Sequence, residues 1–216
     1  MNATAAMKTP GPSVRTSLLS KLLNVLVSPA DVFDEVVSAP PTVANWLFPS
    51  LLVWFSGFML IQFTAMQGRG TGTNGSGVSG AVLAAWLVAI LGSLWSAFVL
   101  WLMGRVLLRV RVAFTKLLEL VALSGSILIL GSIVTCLLIA ITGDAAAKPA
   151  LSYLGRHVGM SPRTCGLLEI VNLFDIWLAV VLSIGLSRLT PASFKESAFW
   201  VFGYWIVIRF VLQILS

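Results

Sequence analysis

The 216 residues are 58% hydrophobic and only 10% charged, with a mean hydropathy of +0.97, whereas a soluble domain carries about a quarter of its residues as charges. Most of the length is taken up by apolar stretches of near twenty residues, each enough for a helix across a hydrocarbon core of about 30 Å, which leaves no room for a separate soluble catalytic domain. The net charge of +6 does not indicate a nucleic-acid partner, because the 14 Lys and Arg are dispersed between apolar runs rather than massed on one polar segment.

In chain order, residues 1–13 are polar and contain Pro10 and Pro12, the composition of a disordered tail; residues 14–216 then form a single membrane domain. From Val14 onward, Leu18, Leu19, Leu22, Leu23 and Leu26 recur at helical spacing while Arg15, Ser17, Ser20, Lys21 and Asn24 fill the other face. This pattern predicts an amphipathic helix lying along an anionic membrane surface. Lys21, Asn24 and the acidic residues that follow also argue against a cleavable leader, so the first true span is expected to be its own targeting signal. Ser28-Pro29-Ala30-Asp31 then offers a capping hydroxyl, a proline at the first helical position and a carboxylate in the first turn. The second short helix has an apolar face of Val32, Phe33, Val36 and Val37, and Pro40-Pro41 ends it.

Spans are expected at roughly 45–66, 81–103, 117–142, 168–187 and 198–216. The fold class is therefore an all-α integral membrane protein with about five transmembrane helices, preceded by one or two cytoplasmic amphipathic helices. Orientation follows from basic residues, which collect on the cytoplasmic side. With the N-terminus inside, nine Lys or Arg lie on cytoplasmic flanks, including Arg105, Arg109, Arg111 and Lys116 in one loop that is positioned to touch lipid, against four on the other side. The C-terminus is then outside.

Motifs for chemistry are sparse. Gly70-Thr71-Gly72-Thr73-Asn74-Gly75 has the GxGxxG spacing but links two spans instead of a strand and a helix, so it reads as a flexible loop; Asn74-Gly75-Ser76 is a glycosylation sequon on the non-cytoplasmic side. Cys136 and Cys165 make no CxxC, and the single histidine, His157, lies in a loop segment resembling a short interfacial helix. No catalytic, cofactor or metal site is expected, and the chain is not read as an enzyme. The tryptophans near span ends suit interfacial anchoring. Gly92 with Ser96, and Gly131 with Thr135, are small pairs that let helices approach closely.

Ionisable groups inside spans are costly. Glu119 opens the third span, near enough to the interface to be solvated. Glu169, Asn172 and Asp175 recur every three residues on the fourth span, and Arg209 and Gln213 share a face of the fifth. Spans four and five are joined by a short loop centred near Ala192, so Asp175 and Arg209 stand level, as do Asn172 and Gln213. Two outcomes are open: a direct Asp175–Arg209 pair, or an Arg209 that snorkels to the interface. The five residues together form a candidate intramembrane polar network.

The segment Ser28-Pro29-Ala30-Asp31-Val32-Phe33-Asp34-Glu35-Val36 resembles the opening of the bacterial branch of the Yip family, the Ypt/Rab-interacting-protein domain. Leu173-Phe174-Asp175-Ile176-Trp177, followed by Val181-Leu182-Ser183-Ile184-Gly185-Leu186-Ser187, resembles that family's fourth span, and the likeness runs from about Leu18 to the C-terminus. The resemblance implies a five-span domain with its N-terminus in the cytoplasm, placed in a bacterial inner membrane, or in an ER or Golgi membrane if the source is eukaryotic. It implies a scaffolding, membrane-shaping or partner-recruiting role, with membrane lipids, a GTPase-like or other membrane protein, or a second copy of the chain as partners. Asn45-Trp46-Leu47-Phe48-Pro49 departs from the eukaryotic motif, so no GTPase-binding residues are carried over. The alternative is a small-solute, ion or proton transporter or channel that uses the polar stripe of spans four and five.

Overall fold

The computed structural model describes residues 17–68, 77–106, 108–169 and 171–215, with the backbone course alone for Gly68, 77–90 and 212–215. The expected tail, Arg15, the Gly70 to Gly75 loop with its sequon, and the side chain of Gln213 lie outside the described residues. Ten helices are found among those described: α1 Leu18–Val27, α2 Pro29–Ser38, α3 Val43–Gly68, α4 Gly77–Val106, α5 Phe114–Ser124, α6 Ser126–Thr142, α7 Leu151–His157, α8 Pro162–Leu168, α9 Leu173–Leu189 and α10 Phe194–Leu215. Val43–Gln67 and Phe114–Thr142 are long and apolar enough to cross a membrane, with mean hydropathies of 1.6 and 2.4.

Five rods, α3, α4, α5 continued by α6, α9 and α10, run between two ends of a bundle. At one end sit α1, α2 and the connections from α4 to α5 and from α9 to α10; at the other sit α7 and α8. Pro49 lies inside α3 and Gly125 marks the joint between α5 and α6. A Cβ on Gly125 would come within 2.7 Å of Val53 Cγ2, so glycine is what lets α3 press against that joint. Gly185 plays the same part between α9 and α5, since a Cβ there would lie 2.5 Å from Leu120 Cδ1 and 3.1 Å from Phe33 Cε2.

The reading of α1 and α2 as surface helices is corrected in part. Leu22 and Val25 of α1 and Val32, Phe33 and Val36 of α2 join Leu117, Leu120, Leu123, Val181 and Leu186 in one buried cluster. Both helices thus complete the core of the bundle. Lys21, expected on the wet face, is 7% exposed and pairs with Glu35 at 3.1 Å. The lost solvation is offset by the partner carboxylate and by burial of the Lys21 stem among leucines. What α1 leaves outward is a different apolar stripe, Leu19, Leu23 and Val27, which are 65%, 59% and 84% exposed and recur every four residues along one face. Ser28 occupies the N-cap position of α2 but its hydroxyl makes no capping bond; Pro29 and Asp31 sit in the first turn as expected.

A second correction concerns the start of the fourth span. The helix begins at Leu173, and the described residues between 143 and 172 form a cap containing α7, α8 and an isolated bridge between Ala150 and Asn172. Leu173 N–H donates to Pro149 O at 3.2 Å and Leu151 N–H to Val171 O at 3.1 Å. Those bonds hold the chain extended where period-three spacing had suggested helix. The small pair Gly131 and Thr135 packs as anticipated, with Phe174 against Gly131. Gly92 does not, because no atom lies within 4 Å of a Cβ placed there.

Candidate functional site

At the α1–α2 end the polar groups converge on two residues one turn apart on α5. Lys116 Nζ donates to the carbonyls of Val36 and Ala39, each at 2.5 Å, and lies 3.3 Å from Glu119 Oε2. Glu119 Oε1 accepts from Thr42 N–H at 2.7 Å and Asn45 Nδ2 at 3.1 Å. The logic is that of helix termini. The last carbonyls of α2 carry partial negative charge and have no helical partner, and the amides opening α3 carry partial positive charge. Lys116 serves the first group and Glu119 the second. Between them lies Pro40-Pro41, which has no N–H to contribute.

Glu119 is 0% exposed, which overturns its reading as a solvated interfacial carboxylate. Its Oε2 makes no directed hydrogen bond and is balanced by the Lys116 charge alone. Lys116 is also reassigned. Of the expected lipid-facing basic loop, Arg105, Arg109 and Arg111 are exposed, while Lys116 is turned inward to α2. Arg105 lies over the Trp101 ring at 5.1 Å. Arg109 takes φ +53° as Val110 N–H returns to Gly104 O at 2.9 Å, a left-handed turn unusual for arginine. Arg188 faces Asp34 at 3.5 Å across the seam between α9 and α2.

At the opposite end, the members of the expected polar stripe have separate partners. Glu169 pairs with Lys148, and Asn172 Oδ1 caps α9 by accepting from Phe174 N–H at 3.0 Å. Asp175 accepts from Arg209 Nη2 in an ion pair between α9 and α10. Asp175 lies in the first turn of α9, where the helix dipole favours a carboxylate. Because α9 starts at Leu173, Asp175 and Arg209 sit toward the α7–α8 end of the rods rather than at their middle. His157 ends α7, its Nδ1 2.9 Å from Tyr153 O and its ring against that of Tyr153. Cys165 is buried in α8. Among the described residues no group of three or more His, Cys, Asp or Glu is placed to hold a metal.

Two different kinds of arrangement result. The Lys116–Glu119 pair, 12% and 0% exposed, is largely buried and joins three helices. Asp175–Arg209 is more open, with Arg209 38% exposed, and also borders a cavity of about 900 Å³ between α4, α9 and α10. The Glu119 clamp was missed by sequence reasoning, though two signals existed: a lone acid one turn after a lysine at the head of an apolar run, and a Pro-Pro joint whose flanking helix ends needed partners.

In a double-mutant cycle, Asp175→Asn and Arg209→Gln are each expected to destabilise the protein in detergent, and the double variant to recover a coupling of about 1 kcal/mol, the scale of interhelical polar bonds in membranes. Additive losses in reversible unfolding would show that the pair contributes no coupling.

A family profile, the Yip1 domain, matches residues 23–216. No curated protein and no solved structure gives a significant match. The match spans α2 to α10 and the second half of α1, including the clamp, the Asp175–Arg209 pair and Gly185. On that coverage the chain belongs to the Yip1-domain family of membrane proteins.

Proposed function

We propose that the chain is a five-span, non-enzymatic membrane scaffold with its N-terminus in the cytoplasm and its C-terminus outside, which shapes the bilayer or recruits partners through its α1–α2 end. Residues 14–216 then act as one membrane domain. Membership of a family associated with trafficking supports a membrane-level role, and the placement of charge supports the orientation: Lys21, Arg105, Arg109, Arg111, Lys116, Arg188 and Lys195 all belong to the α1–α2 end or its connections.

The observation that carries the functional reading is the way α1 is held. Its inner face is fixed in the core and its Lys21 is tied to Glu35, so the Leu19, Leu23 and Val27 stripe faces outward from a rigid seat. Apolar side chains presented at the edge of a bilayer insert at the acyl boundary. The three exposed arginines of the α4–α5 connection attract anionic lipid on the same side, at roughly 1 kcal/mol for each residue near the surface. Charge and wedge together suit a protein that grips one leaflet and presents a platform to a membrane-protein or GTPase-like partner, or to another copy of itself. A bacterial inner membrane is the setting that the resemblance favours. The transport reading rests on a continuous polar stripe, and Glu169, Asn172 and Asp175 each engage a separate partner instead.

Reporters active only outside the cytoplasm test the arrangement: fusions after Gly75 or Ser216 are expected to be active and fusions after Arg109 or Lys195 silent, and the reverse pattern refutes the orientation. For the role itself, the purified chain reconstituted into anionic vesicles is expected to reduce their mean diameter, measured by light scattering. Replacing Leu19, Leu23 and Val27 by serine should abolish that effect while leaving helicity intact. Equal vesicle sizes with both proteins would contradict the wedge.

A further inference from the structure

The cavity of about 900 Å³ lies between α4, α9 and α10 and is unlike the other contacts in the bundle. Its floor is apolar and closed, formed by Leu100, Ala179 and Val201, each about 2% exposed. Across it, Tyr204 of α10 faces Trp95 and Ser96 of α4, all three lining the groove. Gly92 borders it with open space where a Cβ would stand. From Leu91 to Leu100 the α4 wall runs roughly 14 Å at 1.5 Å per residue, parallel to the rods.

One end of this apolar groove carries charge. Asp175 lines it, and Arg209 occupies Asp175 Oδ2, leaving Oδ1 without a hydrogen-bond partner among the described residues. The ion pair is neutral as a unit, so a ligand head with a net charge would find no counter-charge, whereas a head with an O–H donor would find an acceptor. The groove is level with the first turn of α9 at its polar end and runs from there toward the α1–α2 end. Counted from the ends of α4 and α9, Gly92 and Asp175 stand at similar depth, each about 21 Å along its rod from the α1–α2 end. A lipid aligned with the bilayer would place its head at Asp175 and its chain along the α4 wall.

We propose that this groove is a binding site for an uncharged, hydroxyl-bearing lipid with a single hydrocarbon chain, its hydroxyl donating to Asp175 and its chain lying between α4, α9 and α10. Such a volume lies within the range of small-molecule pockets, which combine an apolar lining with a few polar groups that fix orientation. The hydroxyl bond to a carboxylate sets preference over an alkane, and the desolvation cost of a second charge sets preference over a fatty acid.

The site rests on the reading of α4, α9 and α10 as spans, which the topology reporters test separately: if the reporters hold and the labelling below fails, the groove alone is refuted. The full chain in phosphatidylcholine nanodiscs is exposed to diazirine-bearing probes of equal chain length, a long-chain alcohol, the alkane and the fatty acid, and cross-linked peptides are mapped. The alcohol is expected to label residues 91–100 and 175–182 about tenfold above either competitor, the discrimination of one charge-assisted hydrogen bond. Gly92→Trp should fill the groove and remove this labelling, while Gly203→Trp, on α10 but outside the lining and equally open, should not. Equal labelling by alcohol and alkane would show an apolar surface wetted by any chain. Retained labelling in Gly92→Trp, or copy-to-copy cross-links in place of lipid adducts, would equally overturn the site.

Discussion

The Lys116–Glu119 pair on α5 is the interaction on which the arrangement of the bundle's tied end depends. A chain passing from α2 to α3 through Pro40-Pro41 must leave carbonyls at one helix end and amides at the other without helical partners, and although Pro40 to Ala44 are exposed, the carboxylate that answers those amides is 0% exposed. One lysine and one glutamate, a single turn apart, supply both the donor and the acceptor. The pair also neutralises itself. Removing either residue would leave the other as an uncompensated buried charge, a loss of about 3–5 kcal/mol in comparable buried pairs.

With that joint fixed, the rest of the end assembles in sequence. α2 is held where Phe33 reaches Gly185 of α9 and where Asp34 meets Arg188. α1 folds back on α2 through Lys21 and Glu35, and its Leu22 and Val25 enter the common core. The outward stripe of α1 is thereby fixed in direction. The opposite end is built on a different principle: the ion pairs Lys148–Glu169 and Asp175–Arg209 are more exposed, and a groove runs beside α4. Under the proposed function, a tied end and an open lateral groove toward the other suit a scaffold that holds a fixed shape.

Much of this was legible in the residues. Apolar length located the rods to within a few residues, because in lipid nothing but helix satisfies the backbone, and hairpin arithmetic about Ala192 placed Asp175 opposite Arg209. The failures share a cause. Lys21 and Glu119 were read as facing water and Lys116 as facing lipid, because charged residues usually lie at a surface, yet each has a specific partner outside its own helix. Glu169 and Asn172 were read onto one helix face because their spacing fits 3.6 residues per turn, while the bridge to Ala150 and the capping role of Asn172 start the helix only after them. Gly92 and Ser96 matched a packing pattern, but Ser96 lines the groove with Tyr204 and Gly92 meets open space. Periodicity reports which face a residue is on; it does not report what stands opposite.

Hydrogen exchange of the full chain in nanodiscs tests the central claim most directly, comparing the native protein with Glu119→Gln. If the clamp seats the α1–α2 unit, the native amides of Leu22 to Val36 are strongly protected, and the variant loses protection there and at the start of α3 while Val181 to Leu186 of α9 stay protected. Unchanged protection across α1 and α2 in the variant would contradict the claim, since those helices would then be held by apolar packing alone.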